Sequence, residues 1–280
     1  MRTSTFHGSY RVLSYGFRIE ASVPGLGERL DDLLARFRAP RLDGAARYEL
    51  RREPSTGLLV VDRDGVCVQR GRTEASIVDF VLWDAGTRAV ERATDLLALH
   101  AGAVALDGRG VLLPAPPDSG KTTLTAALTR AGFSYLSDEV APIDPGTGLL
   151  RPFPRALWMD ARAIDRLGGL WERLPEELRA LRRAQYHVRP EDLRPDPVGG
   201  DVRVHLVVAP AYAGGREVRL EPLSRAEALV LLAENAFNLE RFGGRGVEVL
   251  ARVVAGARCF RLRMGDLEEA VRAVRGLLGG

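Results

Sequence analysis

Val111-Leu112-Leu113-Pro114-Ala115-Pro116-Pro117-Asp118-Ser119-Gly120-Lys121-Thr122-Thr123-Leu124 is the stretch on which the fold turns. It runs from an apolar strand through a tight loop and Gly-Lys-Thr into a helix, the order of a phosphate-binding P-loop. In such a loop, backbone N–H groups converge on an anion at the start of a helix, where unpaired donors and the helix dipole both favour negative charge. Lys121 is then placed to reach the β- and γ-phosphates of a nucleotide, and Thr122 to hold Mg2+. The expected nucleotide-binding residues are Ala115, Pro116, Pro117, Asp118, Ser119, Gly120, Lys121, Thr122 and Thr123.

Composition sharpens this reading. Of forty basic residues Lys121 is the one lysine, and the other thirty-nine are arginines. A compact ammonium suits a nest of phosphate oxygens better than the wide guanidinium fork does. Two features depart from the usual pattern: Ala115 stands where the first glycine is expected, and Pro116 and Pro117 have no N–H to donate. Asp118 adds a carboxylate at the mouth of an anion site, so modest ATP affinity is expected.

At 280 residues the chain has room for one large or two modest domains. A net charge of +3, with arginines interspersed among acids, describes a solvated surface rather than a nucleic-acid partner. No apolar run reaches the length of a membrane span, and Met1 to Glu20 has no signal-peptide core, so a cytoplasmic protein with no membrane partner is expected. Cys67 and Cys259 are expected to be buried free thiols.

In chain order, Tyr10 to Val23 reads as a strand and Leu26 to Phe37 as an amphipathic helix. Strands follow at Ala46 to Arg51, Gly57 to Asp62 and Val66 to Gln69, and then a long helical pattern from Ala75 to Leu99. Residues 1–97 are therefore expected to form a small α+β domain. His100 to Leu106 and Arg109 to Pro114 flank Asp107-Gly108, a hairpin signal that makes the P-loop strand antiparallel to the segment before it. Thr122 to Ala131 reads as a helix and Phe133 to Leu136 as a strand, with a further hairpin of Val140 to Ile143 and Leu149 to Phe153. Helical patches at Ala161 to Leu167 and Pro175 to Arg183 precede strands at Val202 to Pro210 and Arg216 to Leu220. Ser224-x-x-Glu227 is a capping box opening a helix, and Asp266 opens the last one.

Asp138 and Glu139 end the strand after the P-loop helix, at the edge where open α/β sheets bind ligands. Phosphoryl transfer needs a metal and a group that takes the hydroxyl proton, roles that an acid pair divides. His100 opens the strand before the hairpin and is either a participant or a satisfied edge residue.

His100, Gly108-Arg109-Gly110-Val111-Leu112, Gly120-Lys121-Thr122 and Asp138-Glu139 together resemble the catalytic domain of HPr kinase/phosphorylase, the bacterial enzyme that phosphorylates a serine of the carrier protein HPr. The likeness extends more distantly to ATP-dependent phosphoenolpyruvate carboxykinase. The resemblance implies an α/β P-loop nucleotide-binding fold with a mixed sheet over residues 98–280. It also implies ATP and Mg2+ as cofactors, with Asp138, Lys121 and His100 catalytic and Thr122, Glu139 and Asp138 at the metal. Kinase-like relatives that phosphorylate lasso-peptide precursors share the Leu136 to Glu139 run and a Pro-Phe-Pro-Arg run like Pro152 to Arg155. The partner implied is a protein or ribosomally made peptide carrying a serine or threonine hydroxyl; a homo-oligomer stays open.

Two other readings compete with a protein or peptide kinase. A small-molecule P-loop kinase also carries an acid after its P-loop helix, though it needs no antiparallel partner for the phosphate strand. A nucleotide-binding module without transfer fits Asp118 and the two prolines. Arg155, Arg241 and Arg245 read as surface or structural arginines, with a clamp on phosphate or substrate as the alternative, Asn235 and Asn238 as candidates for a base pocket, and Trp83, Trp158 and Trp171 as packing residues.

Overall fold

The computed structural model describes residues 5–40, 44–179, 185–215 and 217–279. The chain divides into two compact units, Met1–Ala93 and Thr94–Gly280. The division falls just before residue 97 because Leu97 is already the first residue of a strand belonging to the second unit.

In the first unit β1 (Phe6–Val12), β2 (Tyr15–Ala21), β3 (Ala46–Arg52), β4 (Leu59–Arg63) and β5 (Val66–Gly71) form one sheet in that order, with α1 (Leu26–Leu33) and α2 (Glu74–Arg92). The pairs are antiparallel except β2 with β3, which is parallel. The expected single strand from Tyr10 to Val23 is instead a hairpin that reverses at Leu13, whose φ of 51° is rare for a branched apolar residue and leaves no sequence cue. α2 starts at a Thr73 cap that accepts from the Ser76 N–H, and it ends at Arg92 rather than Leu99. One buried carboxylate, Asp84, accepts from Tyr48 at 2.5 Å and pairs with Arg63 at 2.7 Å, so its charge is met inside the core. Trp83 is 54% exposed instead of packed, and Cys67 is exposed where a buried thiol was expected.

The second unit is built on a seven-stranded mixed sheet. Its strands are β6 (Leu97–Leu106), β7 (Arg109–Pro114), β8 (Ser134–Ser137), β9 (Val140–Ile143), β12 (Arg203–Tyr212), β13 (Arg219–Pro222) and β14 (Arg258–Met264). A separate ladder pairs β10 (Leu157–Met159) with β11 (Tyr186–Val188). The helices are α3 (Lys121–Arg130), α4 (Ala161–Arg166), α5 (Glu176–Arg179), α6 (Pro190–Leu193), α7 (Arg225–Glu234), α8 (Leu239–Ala255) and α9 (Leu267–Gly279). The path runs β13-β14-β12-β7-β6-β8, and β9 also pairs with β6. β7 is antiparallel to β6 and parallel to β12, which is parallel to β14.

Both faces of this sheet are covered at its centre, so β6, β7 and β12 are apolar at most positions, whereas β13 and β14 carry exposed arginines. Leu112 and Val207 join α7 and α8 on one face, whereas Val111, Leu113 and Leu206 join α3 and α9 on the other. The hairpin between β6 and β7 forms as the sequence indicates, with Asp107 at φ 50° and Gly108 at φ 73°, the two positive values a two-residue turn of this kind requires. Ser224 caps α7 through the reciprocal bonds with Glu227.

Three expectations change. Leu149 to Phe153 is not a strand; Leu150 makes only isolated bridges to Ile143 and Val202. The helical patch expected to reach Arg183 is α5, and residues 180–184 lie outside the described residues. Of β14 only the strand-like setting of Cys259 was read, and α8 was not expected, because Gly243, Gly244 and Gly246 break its helical pattern. The helix accommodates them with a kink at Gly243, where φ is 52° and ψ is −134°. Among the described residues no helix is long and apolar enough to cross a membrane.

Candidate phosphate-binding site

β7 delivers the chain at Pro114, the loop crosses the sheet edge, and α3 begins at Lys121. Gly120 supplies the turn into the helix at φ 84°, and Asp118 also takes a positive φ of 61°. A side chain at Gly120 would come within 2.5 Å of the Met264 methyl, so both space and backbone favour glycine. Among the described residues the backbone N–H groups of Asp118, Gly120, Lys121, Thr122 and Thr123 have no backbone acceptor. The Ser119 hydroxyl is likewise buried without a partner. A run of unmet donors at a helix N-terminus is the electrostatic signature of an anion cradle.

Strand register brings the acids to this loop. Ala103 pairs with Ser137 and His100 with Val140, so the chain between β8 and β9 bulges past the middle of β6 and carries Asp138 and Glu139 with it. Pairing of Ala101 with Pro114 puts His100 just beyond the end of β7, level with the loop. Lys121 then meets His100, Nζ to Nε2 at 2.6 Å, and the Ala115 carbonyl at 3.4 Å. The same His100 nitrogen lies 3.4 Å from Glu139 Oε1. Protonated, it donates to Glu139; unprotonated, it accepts from the Lys121 ammonium. Gly102 makes the close approach of α3 feasible, since a Cβ there would stand 2.4 Å from the Thr125 hydroxyl.

Asp138 is 1% exposed. Its Oδ1 accepts from Tyr135 Oη at 3.3 Å and from Arg155 Nε at 3.2 Å, while Oδ2 is buried with no partner. Burial raises the Asp138 pKa, with Arg155 opposing the rise. Burial pushes the Glu139 pKa upward too, but the His100 hydrogen bond and the charges of Arg155 and Lys121 prevail and hold it at about 2. Burial lowers the pKa of Lys121, and Glu139 and Asp138 counter it. Two neighbouring carboxylates are thus driven in opposite directions, a pattern of sites that divide acid–base and charge-binding work.

Of the three arginines weighed as clamps in the sequence, Arg155 lines the cleft and Arg241 and Arg245 do not. Arg155 lies between both acids, with its Nη2 3.6 Å from Glu139 Oε2 and its guanidinium 5.3 Å from the Trp158 ring centroid. The Pro152 to Arg155 run was the available signal, but nothing local shows that a chain segment so far along returns to the sheet edge. Asn238 is no base-pocket residue: it is 2% exposed and ties Leu96 and Ala98 to the start of α8. Asn235, Arg241 and Arg245 do not line the cleft.

These groups face a cleft of 440 Å3. Pro116 to Thr123, His100, Asp138, Glu139 and Arg155 line one part, and Arg162, Arg166 and Tyr212 line another. Ala115 stays outside it, 1% exposed. Across the loop lies a second cavity of 390 Å3 with mainly apolar walls, including Ala115, Pro210 and Leu231. Among the described residues no group of three His, Cys, Asp or Glu side chains could hold a metal by itself.

By its fold the chain is a mixed α/β protein in which a strand-to-helix loop, a lysine and an acid pair line one cleft. No protein-family model matches it, and no curated protein matches it. Among solved structures it is similar to the HPr(Ser) kinase/phosphatase from Coxiella burnetii, at a TM-score of 0.32 and 16% sequence identity, over 65% of this chain and 99% of that one.

Proposed function

We propose that the chain is an ATP- and Mg2+-dependent phosphotransferase of the HPr(Ser) kinase kind, acting on a serine or threonine hydroxyl of a protein or ribosomally made peptide. The observation that carries this is convergence: the unmet N–H groups of Asp118 and of Gly120 to Thr123, the ammonium of Lys121 and Asp138, whose buried Oδ2 has no partner, all belong to one cleft. The donor set fits the ligands. The Thr122 hydroxyl and the carboxylates of Glu139 and Asp138 are hard oxygen donors that would hold Mg2+. Bound there, the metal would supply neutralisation of the phosphate charge.

The chain's own groups do the rest. The loop N–H groups and Lys121 hold the phosphates in line. Asp138 takes the proton of the acceptor hydroxyl as its oxygen bonds to the γ-phosphorus and the bond from that phosphorus to the ADP oxygen breaks. An aspartate whose pKa is raised by burial is a better base for this than an exposed one. Arg155 holds Asp138 through Oδ1 and leaves Oδ2 to the substrate.

Single-turnover transfer from γ-labelled ATP to serine-bearing peptides tests the reading. The wild type should label an acceptor, Lys121→Ala should abolish transfer, and Asp138→Asn should keep ATP binding and lose transfer by about 100-fold or more. Normal transfer by Asp138→Asn would remove the assigned base. A nucleotide-binding module without transfer is favoured by one feature, the exposed Asp118 lining the cleft; ATP binding with no labelled product would select it.

A further inference from the structure

Strand order gives the cleft two distinct ends. β7 lies between β6 and β12. On the β6 side stand His100, with the Phe237 ring 5.5 Å from its own, and the acid pair. On the β12 side stands Tyr212, the last residue of β12, whose N–H donates to the Ser119 carbonyl at 3.2 Å. Its ring is 45% exposed. The Arg166 guanidinium lies over that ring, 4.5 Å from the centroid, and its Nη2 donates to the Tyr212 hydroxyl at 3.1 Å.

We infer that Tyr212 and Arg166 form the platform against which the base of the nucleotide stacks. The inference rests on the nucleotide reading of the site and adds the direction in which the nucleotide lies. A triphosphate whose terminal phosphate meets Lys121 and Asp138 runs along the loop to the N-terminus of α3. Its nucleoside then leaves on the β12 side, because the β6 side is filled by His100, Glu139 and Arg155. An exposed aromatic ring with a guanidinium laid against it offers a flat, cationic face, the surface on which nucleobases stack without having their edges read. Arg162, one turn earlier on α4, lines the same end of the cleft and has no partner among the described residues.

Titration of the full chain with Mg2+ and two ligands, ATP and inorganic tripolyphosphate, separates the platform from the phosphate cradle. Tyr212→Ala, and Tyr212→Leu, which keeps apolar bulk, should weaken ATP binding about tenfold and leave tripolyphosphate binding unchanged. Tyr212→Phe should bind ATP as the wild type does. Unchanged ATP affinity in both truncations, or equal loss of both ligands, would overturn the platform while the phosphate site stands. A wild type that binds neither ligand would overturn the nucleotide reading and the platform together.

Discussion

Oδ2 of Asp138 and Oε1 of Glu139 belong to adjacent residues, yet they are prepared for different work. Burial without a partner makes the first a base, whereas contact with His100 and Arg155 and the charge of Lys121 fix the second as an anion. Arg155 sets the balance, since its charge restrains the rise in the Asp138 pKa. Arg155→Met should therefore move the acid limb of the pH–rate profile to higher pH, because the base would stay protonated longer; an unmoved limb would show that Arg155 does not act on Asp138. Glu139 also leaves a mark on stability. Its pKa falls from an ordinary 4.5 to about 2 on folding, so its stabilisation is fully present above the ordinary value and is lost as pH drops towards 2. Glu139→Gln should lower the urea midpoint at neutral pH, and its gap from the wild type should close on acidification. At this scale Lys121 stood out in the sequence as the sole lysine, and Asp138-Glu139 by its place after a strand. Arg155 was one of three candidate clamps read as surface or structural, because one arginine among thirty-nine gains its role only when the fold brings it to the acids.

The elements around the loop hold it by close contact. Leu124 is fully buried on α3 against Val104, Val111, Leu113 and Leu206. Leu124→Ala should cost about 3 kcal/mol in denaturant unfolding, the usual range for a core leucine. Gly102 lies beneath the first turn of α3, and a valine there would push Thr125 and Lys121 outward. Gly102→Val should impair ATP binding more than it lowers the unfolding midpoint; retained affinity would mean that α3 has room to shift. The parts of the fold visible in the sequence were those with local chemistry: the Asp107-Gly108 turn, the Ser224 and Glu227 capping box, and the apolar run of β7. The parts hidden were those decided at long range. β10 and β11 have only three residues each and are joined by pairing across distant segments. β14 alternates Cys259, Leu262 and Met264 with arginines, so it looks like a surface segment although it pairs on both edges with β12 and β13.

Each of the two units has its own buried core, one around Tyr10, Phe17 and Tyr48 and the other on both faces of the seven-stranded sheet. All the groups assigned to nucleotide binding fall within Thr94–Gly280. Residues 94–280 produced alone should unfold cooperatively and bind ATP with the affinity of the full chain; loss of binding would show that the first unit takes part. The most direct test of the whole proposal is a crystal structure of the full chain with Mg2+ and a non-hydrolysable ATP analogue. The γ-phosphate should lie within about 3.2 Å of Lys121 Nζ, with Asp138 beside it. A nucleotide bound away from Lys121, or an empty cleft at saturating analogue, would contradict it.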